Sequence, residues 1–199
     1  MSRDVLIPRP ETEQLVRLIV NDFSSCPSPR ILDIGTGSGC IAISLASLLP
    51  ASCVTALDIS SSALRVAADN ATLNHVSVSW TCVDILSSEA ESCLEQYDCI
   101  VSNPPYIMEH EQLEMDASVL DYEPHKALFV PDTDPLLFYR RIVQLAKSHL
   151  MADGWLYFEI NEQCGDAMLE LLNSAGFSQT TIIKDYFGKD RMLKAQLVL

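Results

Sequence analysis

The stretch VSNPPYIMEH (101–110) contains two consecutive prolines flanked by Asn103 and Tyr106. Asn103 and Pro104 each precede a proline, which disfavours the helical conformation for both, and a proline ring also fixes its own φ. The backbone carbonyls of Asn103 and Pro104 are therefore set in direction before a ligand arrives, and the Asn103 side-chain oxygen and the Pro104 carbonyl are both hydrogen-bond acceptors. Two such acceptors can hold the N–H groups of an amide or amino nitrogen, and the Tyr106 ring can stack on a flat group. The alternative interpretation is a rigid turn without a ligand.

A second group of residues with chemical potential begins at LDIGTGSG (32–39). Its alternate glycines let the backbone turn tightly and approach a ligand, but the dinucleotide pattern G-x-G-x-x-G is absent because no spaced third glycine follows Gly39. Asp58, at the end of the next apolar run, can accept hydrogen bonds from both ribose hydroxyls. Asp84 ends the third run and Ile85 follows it; the two could form a polar contact and an apolar wall for adenine, although Asp84 alone could be a turn residue. Together these residues predict a nucleoside site.

The elements that must position these residues are indicated by alternating apolar runs and helical periods. The pattern predicts helices at 11–22, 39–49, 60–74, 135–150 and 162–176. It predicts strands at 30–35, 53–58, 77–84, 97–102, 154–160, 178–185 and 191–199. Strands that alternate with helices form a mostly parallel sheet covered on both faces, and the last two strands, with no helix between them, should pair antiparallel. The long irregular segment 103–134 is of the length that usually carries a function.

Composition narrows the function classes. The 199 residues suit one domain. The formal net charge is −14, with 27 acidic and 13 basic side chains, which disfavours a nucleic-acid substrate. The sequence has no apolar run of about 18 residues that could span a membrane and no apolar signal-peptide region at its start. Seven cysteines lack C-x-x-C or zinc-ligand spacing, so we expect no metal, reduced thiols that mostly serve as buried filler, and a cytoplasmic location.

The pattern D-x-G-x-G-x-G, together with acids that end the second and third strands, resembles class I S-adenosylmethionine-dependent methyltransferases. This resemblance implies a Rossmann-like α/β fold with a seven-stranded, mostly parallel sheet whose last strand is antiparallel. It also implies S-adenosyl-L-methionine as the cofactor and S-adenosyl-L-homocysteine as the product. The cofactor-binding residues that it implies are Asp33, Gly35, Thr36, Gly37, Ser38, Gly39, Asp58, Ile59, Asp84, Ile85 and Asn103.

The NPPY motif is similar to that of methyltransferases acting on planar amide or amino nitrogens. The resemblance assigns catalysis and substrate binding to Asn103, Pro104, Pro105 and Tyr106. An amide nitrogen is a poor nucleophile, and two acceptors for its N–H groups would stabilise the positive charge that grows on it. The sequence shows no obvious strong base, and none is required, because an N-methylated cation readily loses its proton. NPPY alone leaves open whether the substrate is glutamine or adenine.

Other segments favour glutamine. LIPRPETE (6–13), YEPHKAL (122–128), FYRRI (138–142), FEI (158–160) and DYFGKDR (185–191) resemble the peptide-chain release factor glutamine N5-methyltransferases, the PrmC/HemK family. The resemblance implies methylation of the glutamine in the Gly-Gly-Gln motif of class I release factors. The alternatives are an adenine-N6 nucleic-acid methyltransferase and a glutamine methyltransferase acting on a ribosomal protein. The family also has an N-terminal helical domain that helps to grip the substrate. Since the sequence starts close to a motif, we expect 1–199 to be the catalytic domain alone.

Overall fold

The computed structural model describes residues 5–115, 120 and 123–197, and its centre is a seven-stranded sheet. The strands of this sheet are β1 (Arg30–Ile34), β2 (Cys53–Asp58), β3 (Ser79–Cys82), β4 (Tyr97–Ser102), β7 (Leu150–Glu159), β8 (Phe177–Lys184) and β9 (Asp190–Leu197). Their order is β3-β2-β1-β4-β7-β9-β8. β9 runs antiparallel to both of its neighbours, whereas the pairs from β3 to β7 are parallel. The predicted α/β class and the antiparallel last strand are confirmed.

Helices cover both faces of the sheet. They are α1 (Pro10–Phe23), α2 (Cys40–Leu48), α3 (Ser61–Leu73), α4 (Glu89–Ser92), α5 (Leu137–His149) and α6 (Gly165–Ala175). Strand β7 illustrates that both faces of the sheet are buried. Leu156 and Phe158 belong to one core cluster with α5 and α6, and Tyr157 belongs to a second cluster with α1 and α2. Successive side chains of a strand point to opposite faces, so an uninterrupted apolar run such as this one needs cover on both sides.

Three predicted boundaries differ from the structure near the site. The third strand was expected to end at 84 but ends at Cys82, and Asp84 lies two residues beyond it. The Asp84 Oδ1 atom accepts the N–H of Leu86 at 2.9 Å, which starts a turn and removes Asp84 from the strand. The predicted strand 154–160 begins earlier, at Leu150, and the predicted helix 162–176 begins with a 3₁₀ turn at Glu162–Cys164. Residues 198 and 199 of the last predicted strand lie outside the described residues.

The segment 103–134 contains more regular structure than expected. Strands β5 (Ile107–Met108) and β6 (Phe129–Val130) pair in parallel, and 3₁₀ turns lie at Glu109–Glu114 and His125–Ala127. Positions 116–119 and 121–122 of the segment lie outside the described residues. The short parallel pair brings the two ends of the segment together beside the carboxyl end of β4.

The cysteines are all described, and all seven are free thiols. Cys99 and Cys164 are buried, but Cys53, Cys82 and Cys93 are exposed. The expectation of buried filler is therefore wrong for these three. Strand β2 begins at Cys53 and edge strand β3 ends at Cys82, each with the side chain facing solvent, and Cys93 directly follows the short helix α4. Among the described residues, no group of three or more His, Cys, Asp and Glu side chains could hold a metal ion. No helix in the described part of the chain is long and apolar enough to cross a membrane.

Candidate active site

The glycine loop between β1 and α2 turns through left-handed backbone conformations. Gly35 has φ +73° and Gly37 has φ +55°, a region that residues other than glycine rarely adopt. A Cβ atom added to either glycine would have nothing within 4 Å, because both residues face open space. The loop is tied to β2, since the N–H groups of Gly35 and Thr36 both donate to the Leu57 carbonyl at 2.9 Å. The backbone of this loop is therefore accessible to a ligand and is held in place by its hydrogen bonds to β2.

Asp33 anchors the loop from inside the protein. Its side chain is fully buried, and its Oδ2 atom accepts hydrogen bonds from the Thr36 hydroxyl at 2.6 Å and the Ala42 N–H at 3.2 Å. The Oδ1 atom has no hydrogen-bond partner among the described residues. Burial raises the pKa of the Asp33 carboxyl from its ordinary 3.8 to about 7, although these two donors act in the opposite direction.

Asp58 projects from the end of β2 with both carboxylate oxygens oriented by the backbone. Oδ2 accepts the Gly37 N–H and Oδ1 accepts the Ser60 N–H, each at 2.8 Å. A carboxylate has about four acceptor sites, so lone pairs remain for the two hydroxyls of a ribose. Both orienting donors belong to neighbouring loops, which hold Asp58 against the glycine loop.

A cavity of about 600 Å³ opens at the carboxyl ends of the central strands. The predicted residues that line it are Gly35, Gly37, Asp58, Ile59, Asp84, Ile85, Asn103, Pro104 and Pro105. Five other predicted residues do not line it, namely Asp33, Thr36, Ser38, Gly39 and Tyr106. The Ser38 carbonyl accepts a hydrogen bond from Asn70 at 2.9 Å, and Gly39 packs against α2 and α3, so these two residues support the loop from outside.

A narrower pocket of about 100 Å³ adjoins the large cavity. The two spaces share four lining residues, Leu6, Asn103, Pro104 and Ala127. Asn103 and Pro104 therefore lie at the junction, where the end of β4 separates the large cavity from the narrow pocket. Tyr106 and Glu159 line the narrow pocket.

Glu159 is a site residue that sequence reasoning missed. It ends β7, its side chain is 1% exposed, and both of its carboxylate oxygens accept hydrogen bonds. Oε2 accepts the Thr12 hydroxyl at 2.7 Å, and Oε1 accepts the Tyr106 hydroxyl at 3.0 Å. Burial raises the pKa of the Glu159 carboxyl, and these two hydrogen bonds and Arg191 oppose that rise. An acid at the end of an apolar strand, next to the strand that carries NPPY, was the available signal.

Two further contacts shape the narrow pocket. The Nδ2 atom of Asn103 donates to the Thr12 hydroxyl oxygen across 3.5 Å. Arg9, which lines the pocket, pairs with Glu123 at 2.6 Å and so ties the segment before α1 to the segment before β6. Glu123 is 5% exposed, so the carboxylate of this ion pair is buried, whereas the Arg9 side chain is partly exposed.

The cavity suits S-adenosylmethionine by the chemistry of its walls. The exposed glycine backbone can approach a ligand closely, Asp58 keeps acceptor sites for ribose hydroxyls, and Ile59 is 61% exposed at the rim. An apolar side chain left this exposed beside a cavity provides a wall for a flat apolar group such as adenine. Ile85 supplies a second apolar surface, and the Asp84 carboxylate lies beside it.

Comparisons with known proteins identify the family. The family profile described as Methyltransferase small domain matches residues 11–121. The release factor glutamine methyltransferase of Flavobacterium psychrophilum is 50% identical over 197 residues, covering 98% of this chain and 68% of that protein. This chain belongs to the release factor glutamine methyltransferases. The family member of Bacteroides thetaiotaomicron is also 50% identical, over 191 residues that cover 96% of this chain and 68% of that protein.

A solved structure supports the fold. The SAM-dependent O-methyltransferase of Thermotoga maritima has a TM-score of 0.68 and 14% identity to this chain, covering 97% of this chain and 67% of that one. Identity this low bears on the fold alone. The sheet order and the position of the cavity agree with the rule that ligands of open α/β sheets bind beyond the carboxyl ends of the strands.

Proposed function

We propose that this enzyme methylates the side-chain amide nitrogen, N5, of the glutamine in the Gly-Gly-Gln motif of class I peptide-chain release factors. The observation that carries this proposal is the position of Asn103 and Pro104 between two adjoining spaces. The large cavity has walls suited to a nucleoside cofactor, and the narrow pocket is lined on one side by the acceptors that an amide nitrogen needs. The relatives at 50% identity are named release factor glutamine methyltransferases.

S-adenosylmethionine, when bound, supplies an electrophilic methyl group on a sulfonium sulfur. In this chain, the exposed backbone of Gly35 and Gly37 and the carboxylate of Asp58 would hold it, with Ile59 and Ile85 beside its base. The Asp84 carboxylate would face the polar edge of that base. These residues bind and orient, and none of them has to exchange a proton with the substrate.

Asn103 and Pro104 act on the nucleophile. Their two oxygens would accept the N–H hydrogens of the glutamine carboxamide, so that the lone pair of the nitrogen faces the large cavity. As the new C–N bond forms and the S–C bond breaks, the nitrogen becomes positive, and both acceptors stabilise this charge. The nitrogen then loses one proton to water, and the products are N5-methylglutamine and S-adenosylhomocysteine. Glu159 is not needed as a base, because the N-methylated cation readily loses its proton to water.

The acidity of the chain disfavours the adenine-N6 alternative. A protein that binds a nucleic acid usually presents a basic surface that neutralises phosphates, and this chain has a net charge of −14. A protein substrate that works in translation is consistent with the expected cytoplasmic location.

The test of this function is incubation with methyl-labelled S-adenosylmethionine and three separate substrates. These are a class I release factor, its variant with alanine in place of the Gly-Gly-Gln glutamine, and DNA. We expect label on the unmodified release factor alone, on the peptide that contains the motif. Label on DNA, or equal label on the alanine variant, would contradict the proposed function.

A further inference from the structure

Glu159 and Thr12 form a hydrogen-bonded chain that ends at the nucleophile-binding side chain of Asn103. We propose that Glu159 is a positioning residue that acts through Thr12 to orient the Asn103 carboxamide. The Asn103 nitrogen then faces Thr12, and the Asn103 oxygen faces the narrow pocket, where the glutamine would bind. This inference rests on the proposed function, because it explains why the Asn103 side chain presents its oxygen, and not its NH₂ group, to the glutamine amide.

The direction of each hydrogen bond follows from the chemistry of the groups. An ionised carboxylate can only accept, so the Thr12 hydroxyl must donate its single proton to Glu159, across 2.7 Å. Toward Asn103 the Thr12 oxygen then offers lone pairs alone. The side-chain oxygen of Asn103 would be repelled there, whereas its Nδ2 group can donate, as it does across 3.5 Å. The Oδ1 atom of Asn103 is thereby left for a ligand.

Orientation matters because an asparagine carboxamide has nearly the same shape after a half-turn. In one orientation Asn103 presents an acceptor to the substrate, and in the other it presents an NH₂ donor. A donor would face the N–H hydrogens of the glutamine amide and could not stabilise a positive nitrogen. Proline neighbours fix the backbone of Asn103, but they do not decide which end of the amide faces the pocket.

Glu159 is a carboxylate at a buried position, where its charge is costly. A buried carboxylate costs more than a neutral amide of the same shape, and Glu159 is 1% exposed. The charged groups that act on it are Arg191 on β9, which favours its ionised form, and Glu11 on α1, which disfavours it. Its second oxygen accepts the Tyr106 hydroxyl at 3.0 Å, so the same group also holds the last residue of NPPY.

Replacement of Glu159 by glutamine would permit the wrong arrangement. The glutamine NH₂ could donate to Thr12, whose hydroxyl could then donate to the Asn103 oxygen and draw it away from the pocket. Thr12→Val, which has the same shape without the hydroxyl, would remove the oxygen that accepts the hydrogen bond from Asn103 and would leave the orientation of the Asn103 amide unfixed. Thr12→Ser keeps the hydroxyl and is the matched control.

The test measures turnover of a release factor and the side-chain amide NMR signals of ¹⁵N-asparagine-labelled enzyme for these variants. We expect Glu159→Gln and Thr12→Val to lower kcat by roughly 100-fold, as loss of one charge-stabilising group does. The KM for the cofactor should change by less than about threefold, well under 1 kcal/mol. Thr12→Ser should stay within about threefold of the parent enzyme in kcat. In the Thr12→Val background, Glu159→Gln should add little, because the two residues act in series.

The NMR signals are read in the folded protein whether or not it turns over. Asn103→Asp identifies the Asn103 amide by the loss of its signal, and we expect this signal to move in Thr12→Val and Glu159→Gln but not in Thr12→Ser. An unmoved signal in the first two variants, or their unchanged kcat, would overturn the inference. A parent enzyme that leaves the release factor unlabelled would instead contradict the proposed function, while the NMR result would still decide the orientation. If Thr12→Val fails to fold, Glu159→Gln supplies the same two readouts.

Discussion

At the scale of the residue, the site depends on oxygen atoms whose directions are fixed by neighbours. The Pro104 carbonyl is set by two proline rings, and Asp58 is held by the N–H groups of Gly37 and Ser60. The Asn103 amide is the exception, since a side chain can rotate, and its orientation depends on Thr12. Preset acceptors need no ordering when the substrate arrives, which lowers the cost of reaching the transition state.

Asn103→Ala separates the two functions of the junction between the pockets. The variant removes one of two acceptors for the nucleophile, and we expect kcat to fall by roughly 100-fold. The cofactor's proposed contacts are mostly with other residues, so its affinity should stay within about tenfold, or 1.4 kcal/mol. Isothermal titration calorimetry and single-turnover assays measure the two quantities. The matched control is Asn74→Ala at the exposed end of α3, and loss of cofactor binding in Asn103→Ala but not in the control would contradict the assignment.

Asp33 predicts a specific dependence of stability on pH. Burial raises its pKa to about 7 in the folded protein, so the folded state holds this proton more tightly than the unfolded chain does. The contribution of Asp33 to stability is therefore lost as pH rises from about 4 to about 7, by roughly 2 kcal/mol between pH 5 and pH 7. Urea unfolding of the parent and of Asp33→Asn at both pH values tests this. The stability of the parent relative to the variant should fall with pH, and a constant difference would show that Asp33 titrates normally.

At the scale of the element, the carboxyl ends of β1, β2, β4 and β7 bring together residues that are distant in sequence. The chain places a loop or a functional side chain after each of these strands, and the parallel pairing of the strands holds them in register. The helix α1 also contributes, because Thr12 in its first turn contacts Glu159 across 147 positions of sequence. The site is thus assembled by the sheet and by the start of one helix.

Gly39 connects the glycine loop to this frame. It has φ +81°, and a Cβ atom there would lie 2.8 Å from the end of Ile43 and 3.0 Å from the Ala67 side chain. Left-handed backbone and overpacking together predict a loss of about 3 kcal/mol for Gly39→Ala. Gly188 has the same φ with nothing within 4 Å, so Gly188→Ala should lose about 1 kcal/mol.

Urea unfolding of these two glycine variants gives both values under the same conditions. The comparison isolates the packing contribution, because the backbone conformation is matched. Equal losses would mean that the contact of the loop with α2 and α3 adds nothing to its stability.

The strand–helix alternation, the antiparallel last strand and the acids that follow strands could be predicted from sequence, because periodicity and strand ends are local properties. The end of β3 could not, since a hydrogen bond from Leu86 to Asp84 decided it. The pairing of Glu159 with Thr12 and Tyr106 was also out of reach, because it depends on how α1 packs on β7. The exposure of Cys53 and Cys82 depends on the position of each residue at a strand end rather than on the composition of the strand.

At the scale of the whole molecule, a sheet buried on both faces leaves its carboxyl edge as the place for chemistry. The described part of the chain has its large cavity and its narrow pocket at this edge, and β5 and β6 lie beside them. The protein that carries this site is acidic, with a net charge of −14. An acidic enzyme repels phosphates at a distance.

This charge predicts weak binding to nucleic acids. At an ionic strength of roughly 0.15 M, where charges are screened beyond about 8 Å, we expect no saturable binding of a labelled DNA duplex or RNA hairpin. Lowering the salt should not produce the steep gain in affinity that follows counterion release. Fluorescence anisotropy over a salt series measures this, with a basic DNA-binding protein as the positive control. A tenfold or larger gain in affinity at low salt would point to a basic groove that the net charge conceals.

The measurement that tests the central claim most directly is a crystal structure of the enzyme with S-adenosylhomocysteine and a peptide containing Gly-Gly-Gln. The account predicts that the glutamine side chain enters the narrow pocket with its nitrogen about 3 Å from both the Asn103 side-chain oxygen and the Pro104 carbonyl. The nitrogen should face the sulfur of the cofactor product in the large cavity. A glutamine amide bound away from these two oxygens, or an Asn103 side chain whose nitrogen faces the peptide, would contradict it.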